Sequence, residues 1–147
     1  MIKIRKFLPS DLEKVKEIEN ISFSKRQAYS RKYFEKLHQN YPQGFIVAEN
    51  DKEVIGYTIG RPRNNQAGEI ISIAVSPNWR QQGIGGTLTN VLINHFKEKN
   101  LKEISLHVRT ENEGGTAFYQ NLGFKILETI KNYYQNGDNA CLMIKEI

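Results

Sequence analysis

The feature that most constrains this chain is a cluster of three glycines, Gly83, Gly85 and Gly86, within AVSPNWRQQGIGGTLTNVL, residues 74–92. Apolar side chains follow at helical spacing, so the glycines fall where a helix must begin. Glycine weakens a helix by about 1 kcal/mol relative to alanine, so this placement needs a compensating use. The first N–H groups of a helix have no intrahelical acceptor and sit at the positive end of its dipole. A strand, a glycine-rich turn and a helix therefore make an anion cradle, because no side chain blocks the approach to those donors. The dinucleotide pattern fails, since Leu88 stands at its third glycine, and no Gly-Lys-Ser/Thr follows to make a nucleoside-triphosphate loop. What remains is Arg80-x-x-Gly83-x-Gly85.

The rest of the chain supplies the strand and more. Residues 2–7 alternate as a strand, Ser10 and Glu13 form a capping-box pair, and Leu12, Val15 and Ile18 predict a helix over 11–21. A second helix is expected over 30–39 with Ser30 as its cap. GFIVAEN and EVIGYTIG read as strands joined at Asn50-Asp51, and 61–68 as a polar loop. EIISIAV (69–75) is a β-branched buried strand, 85–99 an amphipathic helix, and EISLHVR (103–109) a strand. A short helix, EGGTAFYQNL, stops at Gly123, and FKILETIKNYY with NACLMIKEI closes the chain as a hairpin around Asn136-Gly137. The order β-α-α-β-β-β-α-β-α-β-β predicts an α/β (α+β) fold, a mixed twisted sheet flanked by helices.

At 147 residues, with 39% hydrophobic and 25% charged side chains, a single soluble domain spanning 1–147 is expected. No apolar run approaches the ~20 residues of a membrane span, and no signal peptide is visible, so the cytoplasm is the expected compartment. Cys141, the one cysteine, is expected as a buried strand thiol, and no metal site is expected. The net charge of +5 is mixed with acids along the chain instead of forming one stripe. Nucleic acid is therefore not the expected partner, whereas an anionic cofactor or an acidic protein target suits the charge.

ISIAVSPNWRQQGIG resembles the acetyl-CoA-binding segment of the GNAT N-acetyltransferases, and VRTENEGGTAFYQNLGF (108–124) is similar to that family's later motif. The two blocks stand in the family's order, and the element order matches its fold of about seven strands and about four helices. The resemblance implies that backbone N–H groups of Gln82, Gly83, Ile84, Gly85, Gly86 and Thr87 bind the coenzyme A pyrophosphate. Arg80 and Gln81 would stand at the mouth of that loop. The pantetheine arm would run along Ile73, Ala74 and Val75, with Asn112 and Tyr119 also contacting the cofactor.

Acetyl transfer from a thioester to an amine needs a base for the amine, donors for the oxyanion and a proton or hydrogen bond for the departing sulfur. Tyr119 falls on the family's general acid. Two residues compete as base. Glu69 opens the apolar strand and shares the face of Ile71, Ile73 and Val75. His107 points away from the Ile104, Leu106 and Val108 face and corresponds to the catalytic histidine of one branch of protein N-terminal acetyltransferases. It needs no large pKa shift to accept a proton near neutral pH. His38 and His95 are expected to be structural.

ETIKNYYQNGDNACLM resembles the closing hairpin of protein N-terminal acetyltransferases, whose tyrosines hold the substrate backbone. Tyr133 and Tyr134 would do this, with Ile71 and His107 lining the acceptor site and Phe23 the first-residue pocket. The expected reaction moves acetyl from acetyl-CoA to the α-amino group of a protein or peptide, by a monomer or homodimer, with ribosome association left open. Acetylation of a small-molecule amine or a lysine, and a non-catalytic acetyl-CoA sensor or partner module, are the alternatives.

Overall fold

The computed structural model describes residues 1–25 and 27–147. Seven strands and four α-helices run in the order β1 (Ile2–Lys6), α1 (Leu12–Ser22), α2 (Arg31–Asn40), β2 (Phe45–Asn50), β3 (Glu53–Pro62), β4 (Ala67–Val75), α3 (Ile84–Glu98), β5 (Glu103–Arg109), α4 (Glu113–Asn121), β6 (Lys125–Ile130) and β7 (Ala140–Glu146). The strands hydrogen-bond in the order β1-β2-β3-β4-β5-β7-β6. β4 lies parallel to β5, while β1–β2, β2–β3, β5–β7 and β6–β7 are antiparallel. This is the expected mixed sheet.

The chain divides into two compact units. The first comprises Met1–Arg61 and Ser72–His95. Its core gathers Ile18, Phe34, Phe45, Ile55, Tyr57, Ile59, Leu88 and Leu92, all nearly inaccessible to solvent. Phe7 stacks on Phe45 at 3.9 Å between ring centres, and Phe34 meets Tyr57 edge-on at 5.9 Å. His38 packs edge-on against Phe7, and His95 shares a 2.7 Å hydrogen bond with Tyr41 Oη.

The chain enters α1 differently from expectation. Pro9–Asp11 forms a 3-10 turn, and the Asp11 carboxylate, not Ser10, accepts the Leu8 N–H at 2.8 Å. Pro9 starts that turn without needing a donor, and Asp11 stands three residues past Leu8, in reach of its N–H. Glu13 pairs with Arg31 instead, at 2.7 Å. Arg5 forks onto both Asp11 oxygens and donates to Glu49 at 2.6 Å. Burial pushes the Asp11 carboxyl up, but Arg5 and the Leu8 N–H outweigh it and hold the pKa below the ordinary value. The β2–β3 turn is centred on Asp51 and Lys52, one residue later than expected. Their φ values of +50° and +69° fit a two-residue hairpin loop. Ser30 caps α2 as expected, accepting the Tyr33 N–H at 3.1 Å.

The second unit comprises Pro62–Ile71 and Phe96–Ile147. Phe96, Ile104, Leu106, Phe124 and Met143 are its buried centre, and Cys141 is a buried free thiol on β7. The 103–109 strand forms as the alternation predicts, and α4 stops at Gly123, whose φ of +94° ends the helix. The closing hairpin differs from its expected form. β6 ends at Ile130 and β7 begins at Ala140, so Tyr133 and Tyr134 stand on the intervening loop, not on a strand. A side chain and a turn bond there replace partners that a ladder would have supplied. Asn139 Oδ1 accepts the Asn132 N–H at 2.9 Å, and the Gly137 N–H turns back to Tyr134 O at 2.9 Å.

Candidate active site

The glycine stretch lies in the first unit. After β4, Pro77–Trp79 makes a 3-10 turn, Gln81 and Gly83 take φ of +62° and +80°, and α3 begins at Ile84. Gly85 and Gly86 thus sit inside the first helical turn. The Thr87 N–H already donates to Gly83 O at 3.0 Å, as does its hydroxyl. The first-turn N–H groups without an intrahelical acceptor are therefore those of Ile84, Gly85 and Gly86. A Cβ built on Gly83 would meet no atom within 4 Å, so the approach to the turn is open. Arg80 Nε donates to Val75 O at 2.8 Å and its Nη2 to Ser22 Oγ at 3.1 Å, which fixes a cation beside this turn. Open donors, clear space and a fixed cation fit a pyrophosphate.

β4 presents Glu69, Ile71, Ile73 and Val75 on a half-buried face, while Ile70, Ser72 and Ala74 are buried. Phe23 is half-buried at the C-terminal cap of α1.

The second unit gathers the titratable candidates. Parallel pairing sets Glu69 opposite Ser105, and His107, two residues on, shares the face of Ser105. Arg63, in the loop before β4, donates to Ser105 Oγ at 3.1 Å. Burial lowers the pKa of His107, Glu69 raises it and Arg63 lowers it, leaving it below the ordinary histidine value. Its imidazole is covered face to face by the Tyr133 ring, at 4.3 Å and 11°. Tyr134 stands edge-on to Tyr133 at 5.0 Å, with the Arg109 guanidinium 3.7 Å from its ring centre. Arg109 is itself held by Asp138 at 3.1 Å.

Tyr119 is buried on α4, edge-on to Phe118 and Phe124 at 5.1 and 5.7 Å. Burial, then the neighbouring Tyr134, pushes its phenol well above the ordinary range, so it keeps its proton at any working pH. Asn112 caps α4, its Oδ1 accepting the Gly115 N–H at 2.9 Å. The second unit thus brings Glu69, His107, Tyr119, Tyr133 and Tyr134 into one electrostatic and aromatic neighbourhood.

Arg63, Arg109 and Asp138 are not among the residues expected from the sequence. The strand alternation that singled out His107 also places Arg109 on its face, and the Asn136-Gly137-Asp138 turn was the other available signal. Nothing local marks Arg63, whose role depends on pairing between distant strands. Among the described residues no group of three His, Cys, Asp or Glu side chains could hold a metal ion, and no helix is long and apolar enough to cross a membrane.

Comparisons with known proteins bear on the family and the fold. The Acetyltransferase (GNAT) family matches residues 12–124. An uncharacterized N-acetyltransferase of Methanocaldococcus jannaschii is 38% identical over 144 residues, covering 97% of this chain and 90% of its own. An N-alpha-acetyltransferase of Sulfurisphaera tokodaii is 32% identical over 154 aligned positions, covering 96% and 90%. The crystal structure of Ard1 from Thermoplasma volcanium superposes with a TM-score of 0.93 at 29% identity, over 99% of this chain and 97% of that one. The protein belongs to the GNAT acetyltransferase family and is an acetyl-CoA-dependent N-acetyltransferase.

Proposed function

We propose that the acceptor is the α-amino group of a protein or peptide N-terminus, met in the cytoplasm, with His107 and Glu69 as base and Tyr119 as acid. The observation that carries this reading is the stack of Tyr133 on His107, beside Tyr134 on Arg109. A loop whose aromatic rings cover the base is suited to hold a peptide backbone over it. The Sulfurisphaera tokodaii relative, named an N-alpha-acetyltransferase, supports the same substrate class.

Bound acetyl-CoA supplies an acetyl group activated as a thioester. Residues 80–86 would hold its pyrophosphate, Ile73, Ala74 and Val75 would flank its arm, and Asn112 would contact it beyond the cap bond. An amine reacts only when neutral. His107, kept neutral by burial and by Arg63, accepts its proton, and the Glu69 carboxylate steadies the imidazolium that results. Tyr119, which retains its proton through burial, offers its O–H to the departing sulfur. An α-amino group has a pKa near 7.7–8 against about 10.4 for a lysine, so a weak base such as His107 matches the former. That match favours a chain terminus over a lysine side chain.

A peptide array with labelled acetyl-CoA tests the reading. Peptides with free N-termini and no lysine should be labelled, and blocked peptides bearing free lysines should not. Labelling confined to the blocked lysine peptides would overturn the substrate class.

A further inference from the structure

Glu19 is a buried carboxyl with no part in the chemistry above. It lies near the end of α1 and is 1% exposed. One oxygen accepts from the Tyr57 hydroxyl on β3 and from Ser72 Oγ on β4 at 3.4 Å. The other accepts the backbone N–H of Tyr29, in the segment joining α1 to α2, at 2.8 Å. Lys16, three residues earlier on the same helix face, donates to the Tyr29 carbonyl at 2.7 Å and to Asn20 Oδ1 at 2.8 Å. Two side chains one turn apart thus hold both backbone polar groups of a single loop residue.

The segment they hold is the one that carries Phe23. Its start is fixed by the Phe23 N–H bonded to Glu19 O at 2.9 Å, and its end by Ser30 capping α2. Between these points the N–H groups of Gln27 and Ala28 both donate to Ser24 O. A leucine at position 19 would fill the core at less cost than a carboxyl, which must find donors for its oxygens once buried. The group found there ties a loop to two strands and a helix, and Ser72 stands between Ile71 and Ile73 on β4.

We propose that Lys16 and Glu19 form a positioning clamp on Tyr29 that sets how Phe23 is presented, and so which first residue the protein accepts. The proposal rests on the reading that the acceptor is a protein or peptide N-terminus, whose first residue would pack on Phe23. Neither clamp residue touches the reacting atoms; both act through the loop.

The test is steady-state kinetics of the intact protein on short peptides that differ only in their first residue. Glu19→Ala removes the carboxylate acceptor of the Tyr29 N–H, and peptide KM should rise about 10-fold while the spread of kcat/KM among first residues narrows. The KM for acetyl-CoA should stay within about twofold. Glu19→Gln keeps a carbonyl oxygen for Tyr29 and should restore the ranking of first residues. Lys16→Met, which leaves the buried trio intact, should narrow the ranking in the same direction by a smaller factor. An unchanged ranking in Glu19→Ala and Lys16→Met would overturn the clamp. If Glu19→Ala does not fold, Lys16→Met decides alone, by the same criterion. A wild-type protein that labels no peptide N-terminus would overturn the substrate reading and the clamp with it. Wild-type labelling with an unaltered ranking in the variants would overturn the clamp alone.

Discussion

The glycine turn and the tyrosine-covered histidine are built by opposite means. Residues 80–87 are contiguous, and what they offer an anion is mostly backbone: first-turn N–H groups and a turn that places Gly83 at φ +80°. The cluster around His107 draws side chains from the loop before β4, from β4, β5 and α4, and from the loop after β6. The turn depends on conformation, so it tolerates changes of side chain except where φ or space forbids them. The cluster depends on environment, because burial and neighbouring charges set each proton affinity. Cofactor affinity and acceptor chemistry should therefore respond to different substitutions.

The largest separation is expected from His107→Ala. Loss of a positioned base lowers kcat by about 10²-fold or more, while the KM for acetyl-CoA, from initial rates, stays within about twofold. A comparable loss in both parameters would break the contrast. Gly83→Val should act in the opposite sense. A left-handed β-branched residue costs about 1–2 kcal/mol, so acetyl-CoA binding, followed by calorimetry, should weaken about 10-fold with little change in peptide KM. Arg109→Gln removes the cation from the Tyr134 face and one partner of Asp138. Peptide KM should rise about threefold, an effect of the size of an exposed cation–π contact.

The smallest effect sharpens the comparison most. Arg63 lowers the His107 pKa, so Arg63→Gln should move the acid limb of the kcat–pH profile upward. The sign follows from the role: a base works when unprotonated, and removing a nearby cation makes protonation easier. A limb that stays in place or moves downward would show that His107 does not govern it. Stability should answer to a different pair. Asp11 has a depressed carboxyl pKa, so its contribution is complete above the unfolded value and is lost as pH falls through the folded one. Arg5→Met should flatten that acid-side loss in thermal melts across pH.

The same contrast explains what could be read from the sequence. The anion turn is local, so glycine spacing, the preceding β-branched run and the following apolar periodicity all fall within one short window. The 103–109 strand was equally plain, since Ile104, Leu106 and Val108 alternate with Ser105 and His107. The entry to α1 differs from expectation because Ser10 and Asp11 are both good capping residues, and only the geometry set by Pro9 decides between them. Tyr133 and Tyr134 look like strand residues by propensity, yet Asn132 at φ +55° and the side-chain bonds of Asn139 and Asp138 turn the chain into a loop. Arg63 on Ser105 and Glu19 on Tyr57 join residues 42 and 38 positions apart, and no periodicity reports such pairs.

Arg80 adds a consequence of its own. An exposed arginine carries roughly 2 kcal/mol of rotamer freedom, most of which it would surrender on meeting a ligand. Here the bonds to Val75 O and Ser22 Oγ have already removed that freedom on folding. An arriving polyanion meets a charge that needs no ordering, so more of the attraction appears as affinity. A lysine could bring the charge, but its single nitrogen cannot reproduce the forked geometry that holds it still.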